Sequence, residues 1–65
     1  MDELIKALDA NGYTSNPSRT LSSIIANARQ DAQYSPGASA NYRILCKYEE
    51  QYGNLTVEVL RKLTR

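Results

Sequence analysis

The chain predicts an all-α fold, a small bundle of three to four short helices forming one domain over residues 1–65. Three observations carry that expectation. Apolar residues recur at helical spacing in separate segments, as in Leu21, Ile24, Ile25 and Ala28. Helix-starting residues stand ahead of those segments, and Gly12 and Gly53 stand after two of them. Only Leu55, Val57 and Val59 alternate as a strand would, and no other segment offers a partner strand.

The first helix is marked by Leu4, Ile5 and Leu8, with Ala7 beside them and Asp2 and Glu3 well placed against the dipole at its start. Asn11-Gly12 is its natural stop. A helix of about two to three turns is unstable alone in water and must dock. A polar connector, Gly12 to Asn16, follows, with Tyr13 as its one large apolar anchor. The second helix is expected from Pro17 to about Gln33, capped by Asn16, with Pro17 at the first helical position. Its solvent face carries Arg19, Thr20, Ser22, Ser23, Asn27 and Arg29.

Tyr34-Ser35-Pro36-Gly37-Ala38-Ser39 is the strongest break in the chain. Ser39 can cap a third helix bearing Tyr42, Leu45, Tyr48 (or Cys46) and Tyr52, which Gly53 ends. The last segment, Asn54 to Arg65, is assigned as a helix on the spacing of Val59, Leu60 and Leu63. Asn54 or Thr56 can cap it, and Arg61, Lys62 and Arg65 fall near its end. The expected core is Leu4, Ile5, Leu8, Leu21, Ile24, Ile25, Ala28, Leu45, Val59, Leu60 and Leu63.

Composition narrows the function. Sixty-five residues lie near the lower limit for a self-sufficient core, so a homodimer is as reasonable an expectation as a monomer. One cysteine and no histidine rule out an internal disulfide, a Cys/His metal site and a Cys–His nucleophile pair. Cys46 is expected as a buried structural thiol. Glu49 and Glu50 are adjacent, so on a helix they point about 100° apart and form no catalytic dyad. They are expected to contact Arg43 or Lys47. With no phosphate-binding glycine loop either, neither catalysis nor a metal or cofactor is expected. The net charge is +1, divided as −1 over residues 1–37 and +2 over residues 38–65, too little for a whole-molecule attraction to nucleic acid. No apolar run is long enough to span a membrane, and Met1-Asp2-Glu3 is no secretory start, which suits the reducing cytosol of a cell or of a virus-infected one.

The run Ser18-Arg19-Thr20-Leu21-Ser22-Ser23-Ile24-Ile25 resembles the recognition helices of bacterial helix-turn-helix regulators. The resemblance implies Leu4–Ala10 as the preceding helix and double-stranded DNA as the partner. Arg19 would address a guanine edge; Thr20, Ser22 and Ser23 would address phosphates or bases. Asn27 would address an adenine or a phosphate, with Arg29 further along. The same residues also describe a plain amphipathic helix with a serine-rich solvent face. A second segment, Leu45–Thr64, has helix-turn-helix spacing around Gly53, but Glu49 and Lys62 stand where a small and an apolar residue belong.

Five tyrosines with no Phe or Trp are the other compositional signal. Tyr42, Tyr48 and Tyr52, interleaved with Arg43 and Lys47, could form a protein interface, stack on bases or pack half-buried on the core. The leading expectation is a DNA-binding regulator using the helix that begins near Ser18. The alternative is a protein-binding inhibitor or adaptor, phage-like in economy, using the tyrosine-bearing third helix.

Overall fold

Three hydroxyl residues, Thr20, Ser35 and Thr56, start three of the four helices in the computed structural model, which describes residues 2–10 and 12–64. Each has extended backbone, and each hydroxyl accepts the N–H three residues on, from Ser23, Ala38 and Val59. The helices are α1 (Asp2–Ala10), α2 (Leu21–Ala32), α3 (Pro36–Tyr52) and α4 (Val57–Leu63), with a 3₁₀ turn at Tyr13–Ser15. The architecture is all-α, as expected.

The starts of α2 and α3 differ from the expectation. Asn16 does not cap α2. Its side chain accepts the Ser18 N–H at 3.0 Å, closing a tight local turn, and Thr20 is the cap four residues later. Ser35, not Ser39, caps α3, and Pro36 occupies the first helical turn. The Pro-Gly pair read as a break therefore opens a helix, because proline lacks only an N–H that the first turn leaves unpaired. Thr56 caps α4, so the short alternating stretch before it is an extended approach to a helix.

That extended approach has a partner. Thr20 and Thr56 form an isolated antiparallel bridge. The Leu55 and Gly53 carbonyls accept the N–H groups of Leu21 and Ser22 at 2.9 and 3.0 Å. In return the Arg19 and Pro17 carbonyls accept those of Val57 and Glu58 at 2.9 and 3.1 Å. A helix leaves its first N–H groups without internal partners. Here α2 and α4 each satisfy them on the segment leading into the other, with the threonine hydroxyls taking the third.

α3 packs along α2 and against α1, so α1 has α3 and not α2 as its principal neighbour. A helix-turn-helix pair would instead set α1 directly on α2. Leu4, Leu8, Leu21, Ile24, Leu45, Val57 and Leu60 are fully buried, joined by Ala7, Tyr13, Ile25 and Ala28. Full burial of each large aliphatic side chain contributes about 1.5–3 kcal/mol. Val59 and Leu63, expected in the core, are 38% and 53% exposed, because α4 turns Val57 and Leu60 inward instead. Ile5 is only half-buried. Cys46 is exposed, contrary to expectation, since it follows the buried Leu45 by one residue and so turns about 100° away from the core.

The chain ends are tied at Asp9. Its Oδ1 accepts from the Thr14 hydroxyl at 2.7 Å and from Arg61 at 3.0 Å, linking α1 to the 3₁₀ turn and to α4. Gly12, at φ 72°, makes the left-handed turn between α1 and the 3₁₀ segment. Tyr13, 8% exposed, donates its hydroxyl hydrogen to Asp31 Oδ2 near the end of α2.

Gly53 is required for space. A Cβ there would lie 2.5 Å from the Glu49 carbonyl oxygen and 2.6 Å from Ser22 Oγ. Gly53→Ala is expected to destabilise the fold by about 2 kcal/mol, read as a lower urea midpoint; an unchanged midpoint would mean that the junction is looser than described.

Burial, then the hydrogen bond to Asp31 and that carboxylate's charge, push the Tyr13 phenol from 10.0 up to about 12, with Arg19 opposing. Below the ordinary value the phenol is protonated in folded and unfolded chains alike, and its contribution is fully present. As pH rises from 10.0 towards about 12 the unfolded chain releases its proton first, and that stability is lost. Denaturant midpoints should fall across this window more steeply for the native protein than for Tyr13→Phe.

Candidate nucleic-acid interface

On α2 the core stripe occupies one side, and residues spaced by four along its exposed edge begin with Arg19, just ahead of the helix. One guanidinium nitrogen of Arg19, Nη2, lies 3.1 Å from the Ser23 carbonyl, 3.1 Å from Ser23 Oγ and 3.1 Å from Asn27 Oδ1. Arg19 is half-buried, and Ser23 and Asn27 are exposed. A flexible cation is thereby laid along the first two turns of α2. One step further on the same spacing stands Asp31, whose Oδ2 accepts from Tyr13. That carboxylate bounds the edge and keeps any anion towards the N-terminal half of the helix.

The other residues expected to contact DNA lie elsewhere. Thr20 is half-buried and its hydroxyl caps the helix. Ser22 is half-buried against Gly53 and donates its N–H to that residue's carbonyl. Arg29 follows Asn27 by two residues and so projects about 160° around the helix from it. There its Nε donates to the Tyr42 hydroxyl at 3.4 Å, a contact that raises the guanidinium pKa above its ordinary value. Of the six residues, the fold brings together Arg19, Ser23 and Asn27.

The backbone adds nothing to this edge for an anion. Helix N-termini bind phosphate through free amides. The amides of Leu21, Ser22 and Ser23 are engaged by Leu55, Gly53 and Thr20. Those of Val57, Glu58 and Val59 are engaged by Arg19, Pro17 and Thr56. Contacts here must come from side chains.

The partner-binding set on α3 is split in two. Tyr42, Tyr48 and Tyr52 are half-buried and pack against the core, with the Tyr48 and Tyr52 rings 6.1 Å apart and inclined at 37°. Arg43 and Lys47 are exposed on the other side of the helix, and Lys47 pairs with Glu3 of α1 at 3.5 Å. Glu49 and Glu50 make no ion pair with Arg43 or Lys47 among the described residues. A shallow groove between α1 and α3, which no sequence signal marked, has Ala7, Ala10, Asn41 and Ile44 in its lining and Glu3 and Lys6 at its rim. Among the described residues there is no group of three His, Cys, Asp or Glu side chains able to hold a metal ion, and no helix is long and apolar enough to cross a membrane.

Because the tyrosines pack on the core, Tyr48→Ala and Tyr52→Ala should each lower stability by about 2 kcal/mol, roughly half the effect of truncating a fully buried aromatic. Chemical denaturation checks this, and unshifted midpoints would return the rings to the surface as contact residues. Comparison with protein-family models, with curated proteins and with solved structures found no match for this chain.

Proposed function

We propose that this protein acts by binding rather than catalysis, as a DNA-binding regulator that docks the Arg19–Ser23–Asn27 edge of α2 on double-stranded DNA. The observation that carries this reading is the pre-placed Arg19 guanidinium, held at 3.1 Å by both Ser23 and Asn27 on an exposed helix edge. Ordering a free arginine side chain costs about 1.5–2 kcal/mol, most of which is already met before a ligand arrives. The working environment in this reading is the reducing cytosol, where the exposed Cys46 remains a thiol. A homodimer would present two such edges, and their separation would set the distance between the two contacts on the duplex.

The adaptor alternative is weaker. Its three tyrosines are occupied in packing, and the cations read beside them face away.

Binding to a short mixed-sequence duplex at low salt, read by fluorescence anisotropy, tests the proposal. Affinity should fall as salt rises, with a shallow slope because few cations reach phosphates. Arg19→Ala should weaken binding about tenfold, equivalent to about 1.4 kcal/mol, while circular dichroism shows the helices retained. No measurable duplex binding at low salt by the folded protein would overturn the reading.

A further inference from the structure

From the hydrogen bonds within the α2 edge we infer that it grips the phosphate backbone and does not read base edges, so that recognition by this surface is independent of base identity. The inference rests on the DNA-binding reading above and sharpens it.

Two side chains of the edge are of the types that read bases, and in each an atom needed for reading is already engaged within the edge. Arginine reads guanine by placing two parallel N–H groups on O6 and N7. A guanidinium offers two such forks, one formed by Nε and Nη2 and the other by Nη1 and Nη2, and both use Nη2. In Arg19 that nitrogen faces three protein acceptors, the Ser23 carbonyl, Ser23 Oγ and Asn27 Oδ1. What Arg19 retains is Nε–H and the two Nη1–H groups, three donors that form no parallel pair, which suit separate acceptors and not one base edge.

Asparagine reads adenine by accepting from N6 through Oδ1 while donating to N7 through Nδ2. Asn27 Oδ1 already accepts from Arg19, which takes one of its two lone pairs and ties the amide to the guanidinium, with the Nδ2–H groups as its donors. Ser23 Oγ accepts from the same guanidinium and keeps its hydroxyl hydrogen for donation. Arg19, Ser23 and Asn27 together therefore present dispersed donors with one positive charge. The complementary surface is an array of anionic acceptors, as phosphate oxygens provide. Asp31, a further turn along, limits this array to the first two turns of α2.

The test compares one mixed-sequence duplex with the same duplex in which every purine is replaced by its 7-deaza analogue, which deletes the major-groove N7 acceptors and keeps the phosphates. The native protein should bind both with affinities within about twofold, and Arg19→Ala should weaken both by the same factor, about tenfold. Asn27→Asp, which keeps the acceptor facing Arg19 but cannot donate to a base, should leave the ratio between the two duplexes at unity. If the 7-deaza duplex binds tenfold more weakly, or if Asn27→Asp changes the ratio, the edge reads bases and the inference fails while the DNA-binding reading stands. If the native protein binds neither duplex, both fail.

Discussion

The joint between the starts of α2 and α4 is the constraint on which the rest of this small structure depends. Each helix has orphan amides at its first turn, and each receives carbonyls from the segment that leads into the other. Thr20 and Thr56 sit opposite one another at the centre, each capping its own helix as well. The arrangement is reciprocal, so neither helix start is complete without the other. α4 has only seven residues and would not hold as an isolated helix. Its register is set by this joint and by the burial of Val57 and Leu60.

Gly53 and Pro17 take their meaning from the same joint. Gly53 lies where the α3 C-terminus, Ser22 and the turn into α4 meet, and a side chain there would collide with backbone. Pro17 stands outside the helix, where it needs no N–H partner and offers its carbonyl to Glu58. Local proline chemistry allows either place; the need of α4 for an acceptor decides between them.

The joint also shapes the candidate interface. By filling the helix amides it removes the usual anion site at an N-terminus and leaves side chains to make any contact. It holds Arg19 in the segment just before α2, from which its guanidinium folds back along the helix to Ser23 and Asn27. The edge is therefore a by-product of how two helices begin. Tyr13 and Asp31 close it at the far side and tie the connector after α1 to the last turns of α2.

Much of the fold could be read from residue order alone. The helical class, the stripe of Leu21, Ile24, Ile25 and Ala28, and the helical nature of the last segment follow from local periodicity, which needs no knowledge of neighbours. Arg19, Ser23 and Asn27 stand among the six polar residues that the sequence marks on the solvent face of the second helix. Their hydrogen bonding was not legible there, and it is those bonds that decide what the three can present. Which of several capping residues acts was equally hidden. Asn16, Thr20, Ser35, Ser39, Asn54 and Thr56 are all competent caps, and the choice rests on long-range carbonyls. The inward turn of Val57 in place of Val59, the exposure of Cys46 and the division between the tyrosines and the basic residues of α3 were settled the same way. Sequence alone determined the elements, because hydrophobic spacing is a property of one segment. Tertiary structure decided their starts and faces, because an orphan amide or a half-buried ring is satisfied by whatever chain lies across from it.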